Sequence, residues 1–574
     1  MRKVHYSKLA VLLSLAVVLG SCSGLKKMQE QASTTKFELT PKVLEMHNGE
    51  VNATISGKFP PKYFNKKAVV TVTPIIKYEG GQIELQSYKL QGEDVQANDK
   101  VIPFEAGGDF SYSDKFAYKD EMMLSKVSVQ VSAQMKKENL VIGTFEIGDG
   151  IIVTPKLVRL EPKASELTQN QFVRNVAQDK LANIKYLINQ AEIRNTELKK
   201  DEVKQLNDFV KTIAKDPKFN IKGIELSSYA SPDGPENKNA ELAGKRESAA
   251  VKYFKSELKK AKLDKILKDS LFSMLKTPED WDGFKTSLEK SDVKDKDLIL
   301  RVLSMYSDPA VREKEIRNIS QAFDELKVKI LPELRRSKLI VKAEAIGRSD
   351  EELISLADSN PDALSLEEVV YTANMIQDLD KKAALYAKAS EKYPNDVRLK
   401  NNLGYVYFKQ GKLDEAKAAL EQAKSIENND AVKNNLGAIA LIKGDVAAAE
   451  ELFTAALGAG AAPNYNLGIV NIIKGKYDIA VSYFGNECDA NAALAKLLNK
   501  NYEAAQNAMG CSKDESAQGY YLRAVIGARM DNSDLVFNNL RAAVGKDIQL
   551  KNYAKKDVEF LKYFNDETFK SIIQ

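Results

Sequence analysis

Apolar positions along the chain fall into three successive patterns. From Phe37 to about Leu160 they alternate with polar ones: Val51, Ala53 and Ile55 are separated by Asn52 and Thr54, and Val127, Val129 and Val131 by Ser128 and Gln130. A period of two marks half-buried strands, and Pro60-Pro61, Gly80-Gly81 and Gly107-Gly108 break the runs as turns. The pattern predicts a β-sandwich over residues 37–160. From about Pro162 it becomes mixed. Val203, Leu206, Phe209, Val210, Ile213 and Ala214 recur at helical spacing, Ile221 to Leu226 reads as a strand, Pro232-Asp233-Gly234 as a turn, and a second helix runs from about Asn239 to Leu258. This predicts an α+β domain over 161–350 with a helical insertion at about 260–330, where the single tryptophan, Trp281, reads as a core anchor.

From about Ser365 the chain is helical and repeats itself. Leu403-Gly404, Leu436-Gly437 and Leu467-Gly468 each follow an asparagine, and the leucines are 33 and 31 residues apart. Gly411, Gly444 and Gly475 follow each leucine by eight residues, where a turn between paired helices needs positive φ. Five or six such units predict an all-α solenoid over 351–574.

The N-terminus carries an address. Arg2, Lys3 and Lys8 flank the apolar run Leu9–Leu19, which is too short for the ~20 residues that cross a bilayer. Residues 1–21 read as a secretory signal. Ser23 to Thr35 is polar and aperiodic, so 22–36 reads as a tether.

Composition narrows the chemistry. The chain of 574 residues has a net charge of +5, of which Arg2, Lys3 and Lys8 belong to the signal, so no global charge favours nucleic acid. Of two histidines, His5 is in the signal and His47, beside Asn48-Gly49, reads as a turn residue. One imidazole builds no histidine triad, zinc site or acid–base pair, and neither cofactor nor metal is expected. Catalysis by carboxylates alone, as in an envelope hydrolase, stays open as a third alternative.

Three resemblances refine the reading. Leu19-Gly20-Ser21-Cys22 resembles the bacterial lipobox, which implies cleavage before Cys22 and acylation of that cysteine. Lys26 and Lys27, with no acidic run after Cys22, lean by the same resemblance towards a periplasm-facing, outer-membrane lipoprotein. The stretch IKGIELSSYASPDGPENKNAELAGKRESAAVKYFKSEL from Ile221 resembles the OmpA-like domain, which implies a βαβαβ-type fold and binding of peptidoglycan. In that family an aspartate takes the ammonium of diaminopimelate and an arginine its carboxylate. The arginine position falls on Arg246, the family's asparagine on Asn239 and the aspartate position on Ser231, leaving Asp233 as the candidate acid. Alternatively Asp233 caps the turn and Arg246 forms an internal salt bridge. NNLGYVYFKQGKLDEAKAALEQA resembles the tetratricopeptide repeat, whose concave face is implied to hold a partner peptide; Asn402, Asn435 and Asn466, with Tyr405, Lys409 and Lys443, are the groove candidates. Cys488 and Cys511 either pair or stay as two buried thiols.

The sequence therefore predicts a multidomain chain: an immunoglobulin-like sandwich, an OmpA-like α+β domain and a tetratricopeptide solenoid. The expected function is a non-enzymatic, lipid-anchored scaffold that binds an outer-membrane or periplasmic protein partner in assembly or secretion. The first alternative is a structural lipoprotein linked to peptidoglycan.

Overall fold

Strand Glu50–Phe59 shows how the alternating sequence becomes a sandwich. Val51, Ala53, Ile55 and Phe59 are buried while Asn52 and Lys58 are exposed. A one-residue slip would turn that apolar set to water, so the register is tightly specified. Along its length the strand pairs antiparallel with Gly108–Ala117, and on its other side with Lys36–Thr40 and Leu44–His47. Ile151–Ile152 completes this five-stranded sheet. A six-stranded sheet, in the order Glu138–Asp149, Ser125–Met135, Val69–Tyr78, Tyr88–Gly92, Lys100–Ile102, faces it, with Gly81–Glu84 also paired to Val69–Tyr78. Val70, Val72, Val127, Val129 and Val131 share one core with Val51 and Ile55. Each such side chain contributes roughly 1.5–3 kcal/mol by leaving water.

The structure, a computed structural model, describes residues 24–263, 267 and 269–574; Cys22 and the signal segment lie outside the described residues. No described helix is long and apolar enough to cross a membrane. From Gly24 to residue 36 the chain is not the aperiodic tether expected above for 22–36. Gly24–Glu30 is a helix whose Leu25 and Met28, three positions apart, are buried in the sandwich core, and Gln29 Nε2 donates to Val141 O at 2.8 Å.

The chain divides into two compact units, one formed by residues up to Thr168 together with Asp378–Gln574, the other by Gln169–Gln377. The second unit is thus inserted in the first. Helices Asp350–Ser359 and Leu366–Met375, expected to open the solenoid, fall within the inserted unit. Both begin with a serine capping box, and Arg348 pairs with Glu368 at 2.8 Å.

In the first unit, helix Leu379–Lys392 is followed by five helical pairs, from Val397–Lys409 with Leu413–Ile426 to Ala517–Arg529 with Ser533–Lys546. Gly411, Gly444 and Gly475 have φ of 75°, 84° and 71°, as their turns require. A Cβ on Gly404, Gly437 or Gly468 would strike Leu420, Phe453 or Phe484, so these glycines let paired helices approach. The sandwich docks on the last repeats. His47 Nδ1 is 2.7 Å from the Tyr477 hydroxyl, Arg529 pairs with Glu559 at 2.6 Å and with Glu45 at 3.2 Å, and the Thr154 hydroxyl donates to Glu559. His47 ends strand Leu44–His47 rather than standing in the turn.

In the inserted unit the strand order is Asn175–Lys185, Arg336–Ile346, Phe219–Tyr229, Phe272–Thr277. Arg336–Ile346 runs antiparallel to both of its neighbours, and the last strand runs parallel to Phe219–Tyr229. Helices Asp201–Lys215 and Glu236–Lys260 bury Val203, Leu206, Val210, Ala250 and Phe254 against Ile184, Leu226, Leu339 and Val341. Strand Phe272–Thr277 lies inside the stretch expected to be mostly helical; four of its six residues are exposed, so its sequence lacks alternation. The helices after it form a satellite core of Phe284, Leu288, Ile299, Leu326 and Leu331, with Trp281 edge-on to Phe284.

Candidate functional site

An extended backbone turns the N–H and C=O of one residue to the same edge, and every second residue repeats that edge. A side-chain amide carries one acceptor and two donors, so one asparagine can satisfy both groups of one residue. The repeats use this complementarity on a segment of their own chain. Leu167 N–H donates to Asn402 Oδ1 at 2.7 Å, and Asn402 Nδ2 donates to Leu167 O at 2.9 Å. Asn435 does the same for Ser165, at 2.6 and 2.8 Å, and Asn466 for Lys163, at 2.7 and 2.9 Å. The three residues held are alternate ones, and they run opposite to the order of the repeats.

A fourth rung was not singled out in the sequence. Asn491 Oδ1 accepts from Arg159 N–H at 2.9 Å, and its Nδ2 donates to Arg159 O at 3.0 Å. It stands 25 residues after Asn466 and is followed by Ala-Ala-Leu instead of Leu-Gly, which hides it from the repeat consensus. Asn401 and Asn434, one position before the first two rungs, tie the ladder together. Asn435 Nδ2 donates to Asn401 Oδ1 and Asn466 Nδ2 to Asn434 Oδ1, both at 3.0 Å. Asn434 also donates to Lys163 O and to the Ser165 hydroxyl, both at 3.0 Å. Asn401, Asn402, Asn434, Asn435 and Asn466 are fully buried, where an unmatched amide would be costly.

Side chains fix the register that backbone bonds alone leave open. The Arg159 guanidinium reaches Asp514 Oδ2 at 2.6 Å and the Ser516 hydroxyl at 3.0 Å. Lys163 Nζ lies 3.8 Å from the centre of the Tyr465 ring and 3.1 Å from Glu487. Glu166 is met by Lys382 Nζ at 2.6 Å and by the Tyr386 hydroxyl at 3.2 Å. Burial, then the Glu166 charge, holds the Tyr386 phenol far above its ordinary range. Tyr405 is raised by the same two causes. Pro162, with no N–H to give, occupies a position that the ladder does not read.

Lys409 and Lys443 are not part of this grip. Lys409 is exposed at the end of its helix, and Lys443 pairs with Asp414 at 2.5 Å. Cys488 and Cys511 form a disulfide, with Cα atoms 5.6 Å apart. It joins the loop of Glu487 to the end of helix Tyr502–Cys511, so both of its strands lead directly to residues that hold Arg159 and Lys163.

The candidates in the inserted unit are engaged internally. Arg246 is fully buried; its Nε donates to Gln190 O at 2.9 Å, Nη1 to Tyr229 O at 2.8 Å and Nη2 to Leu187 O at 3.3 Å. Its partners are carbonyls and the face of Tyr186, not the carboxylate of an internal salt bridge. Desolvation lowers its pKa to about 10. Asp233 instead pairs with Arg335 at 2.9 Å and accepts from the Ser231 hydroxyl at 2.5 Å. Arg335 Nε also donates to Ser231, at 3.0 Å, and Asn239 Nδ2 donates to Gly234 O at 2.9 Å.

The tetratricopeptide-repeat family matches residues 378–439. The C-terminal region is built of tetratricopeptide repeats. No curated protein matches the chain. Among solved structures the chain is similar to YrrB, a repeat protein with an unusual peptide-binding site, at 20% identity over 30% of this chain and 99% of that one, with a TM-score of 0.26. It is also similar to PilW, a type IV pilus biogenesis factor, at 16% identity over 39% of this chain and 98% of that one, with a TM-score of 0.27. A repeat protein from Parabacteroides merdae matches at 20% identity over 40% of this chain and 98% of that one, with a TM-score of 0.26.

Proposed function

We propose that the protein is a non-enzymatic scaffold of the bacterial envelope, acylated at Cys22, held at the outer membrane on its periplasmic side, and active in the assembly or secretion of other envelope proteins. The observation that carries the reading is the filled amide ladder. Its polar groups are spent on binding a backbone, and that backbone is the chain's own Arg159–Leu167. The repeats therefore meet a protein partner on their outer surfaces, where Lys417 and Lys424 are exposed. The order of strands and helices in the inserted unit supports an OmpA-like reading of its fold. Peptidoglycan is left out of the proposal because Arg246 and Asp233 are already bonded within the chain.

Photo-crosslinking in intact cells tests this. A photoreactive residue at Tyr405 should crosslink only to the segment near Glu166, while one at Lys417 or Lys424 should give adducts with other proteins. Adducts between chains from position 405, with none from the outer positions, would overturn it. Mass spectrometry of the mature N-terminus tests the acylation separately.

A further inference from the structure

The place where the lipid would leave the fold is set by its first described residues. A Cβ on Gly24 would collide with the Asn65 side chain, and Leu25 and Met28 are buried in the sandwich core. On the acylation reading above, on which this inference rests, only Ser23 stands between the lipid-bearing Cys22 and docked Gly24, two residue steps along the chain. Two residues reach at most about 7 Å.

Strand Glu50–Phe59 defines which end of the sandwich that is. At its Glu50 end lie His47, bonded to Tyr477, and the chain reversal at Gly150, where a Cβ would strike Val558; both belong to the contact with the repeats. At its Phe59 end the chain enters Pro60–Lys67, the loop that carries Asn65. Val69 follows this loop and is in register with Gln134, which brings the Lys136-Lys137 turn to the same end. Ten strand residues at about 3.4 Å each separate the two ends by roughly 30 Å.

The Phe59 end is rigid and rich in lysine. Tyr63 and Phe64 are buried and hold the loop, while Lys27, Lys62, Lys66, Lys67, Lys136 and Lys137 are exposed. Acidic residues lie among them: Lys66 pairs with Glu93 at 2.8 Å and also feels Asp94, Lys62 pairs with Glu105 at 3.9 Å, and Glu138 adjoins Lys137. Lysines close to an anionic membrane surface are attracted to it, and the attraction falls off within a Debye length.

We propose that this end of the sandwich rests directly on the headgroups of a membrane containing anionic phospholipid, and that the sandwich holds the repeats away from the bilayer by its own length. The protein is seated on the membrane, with no flexible leash.

The test uses the full-length acylated protein in vesicles of phosphatidylethanolamine and phosphatidylglycerol carrying a headgroup energy acceptor. Single donor labels are placed through Lys67→Cys, Lys137→Cys and, on the repeat side, Lys555→Cys, with the native disulfide left oxidised. Transfer should be strong from 67 and 137 and largely lost at 555, and should rise at 67 and 137 as phosphatidylglycerol is added. Equal transfer from all three positions, or stronger transfer from 555, would overturn the proposal; so would indifference to phosphatidylglycerol. A protein that carries no acyl group by mass spectrometry and leaves the vesicles would instead overturn the lipoprotein reading beneath it.

Discussion

Asn435 and Ser165 lie 270 residues apart in sequence, yet the single amide of one bonds both the N–H and the C=O of the other, at 2.6 and 2.8 Å. The pairing imitates one rung of a β-ladder with a side chain in place of the second strand. Its use of backbone groups explains why the repeats tolerate a segment as heterogeneous as Arg159–Leu167.

Removing the Asn435 rung leaves the buried Ser165 N–H without an acceptor, while Ser165 O keeps only Asn401 Nδ2 at 3.1 Å. Asn435→Ala should cost about 1–3 kcal/mol in denaturant unfolding. Asn435→Asp keeps an acceptor for Ser165 N–H but sets a carboxylate against Ser165 O, and should cost at least as much. Hydrogen exchange at residues 163–167 should rise in both variants while the sandwich stays protected.

The inserted unit leaves and rejoins the first unit at one place, because Glu166 and Lys382 are in contact at 2.6 Å. Replacing residues 169–377 by a short Gly/Ser loop should yield a folded protein, since bringing together ends that are already adjacent needs little closure entropy. Circular dichroism and a cooperative melt check this; a chain that fails to fold would show that the two units depend on each other.

Reducing the disulfide should act at the Arg159 end of the ladder. The bridge spans 23 positions and contributes about 3 kcal/mol through loop-closure entropy. Cys488→Ser with Cys511→Ser should lower stability by that order and open Arg159 and Lys163 to trypsin, while Asn402 still holds Leu167.

Asp557 sets a pH dependence. Burial first, and neighbouring Glu559 second, raise its pKa to about 7. Between the ordinary carboxylate range near pH ~4 and about 7, the folded chain keeps a proton that the unfolded chain releases. This contribution is therefore full below that range and is lost as pH rises through 7, with a slope of up to about 1.4 kcal/mol per pH unit. Asp557→Asn should flatten the slope in denaturant titrations across that window.

The sequence carried the repeats and three of the four rungs, because Asn402, Asn435 and Asn466 precede a periodic Leu-Gly pair. What they hold was not legible. Arg159–Leu167 has neither period, and nothing local marks it as the complement of helices more than 200 residues away. Helix Gly24–Glu30 escaped because Leu25 and Met28 are too few apolar positions to announce a period. Strand Phe272–Thr277 escaped because an exposed edge imposes little alternation. The partners of Arg246 were hidden for a different reason: spacing along one helix says nothing of Leu187, Gln190 and Tyr229, whose carbonyls its guanidinium bonds.

The insertion imposes an order on synthesis. Arg159–Leu167 leaves the ribosome, and any translocation channel, long before Asn402, Asn435, Asn466 and Asn491 exist to receive it. Until the final third of the polypeptide arrives, those nine residues and the docking edge around Glu45 remain exposed to whatever binds nascent chains. A nascent chain interrupted between Leu167 and Asn402 would carry every strand of the sandwich and an unclaimed ribbon.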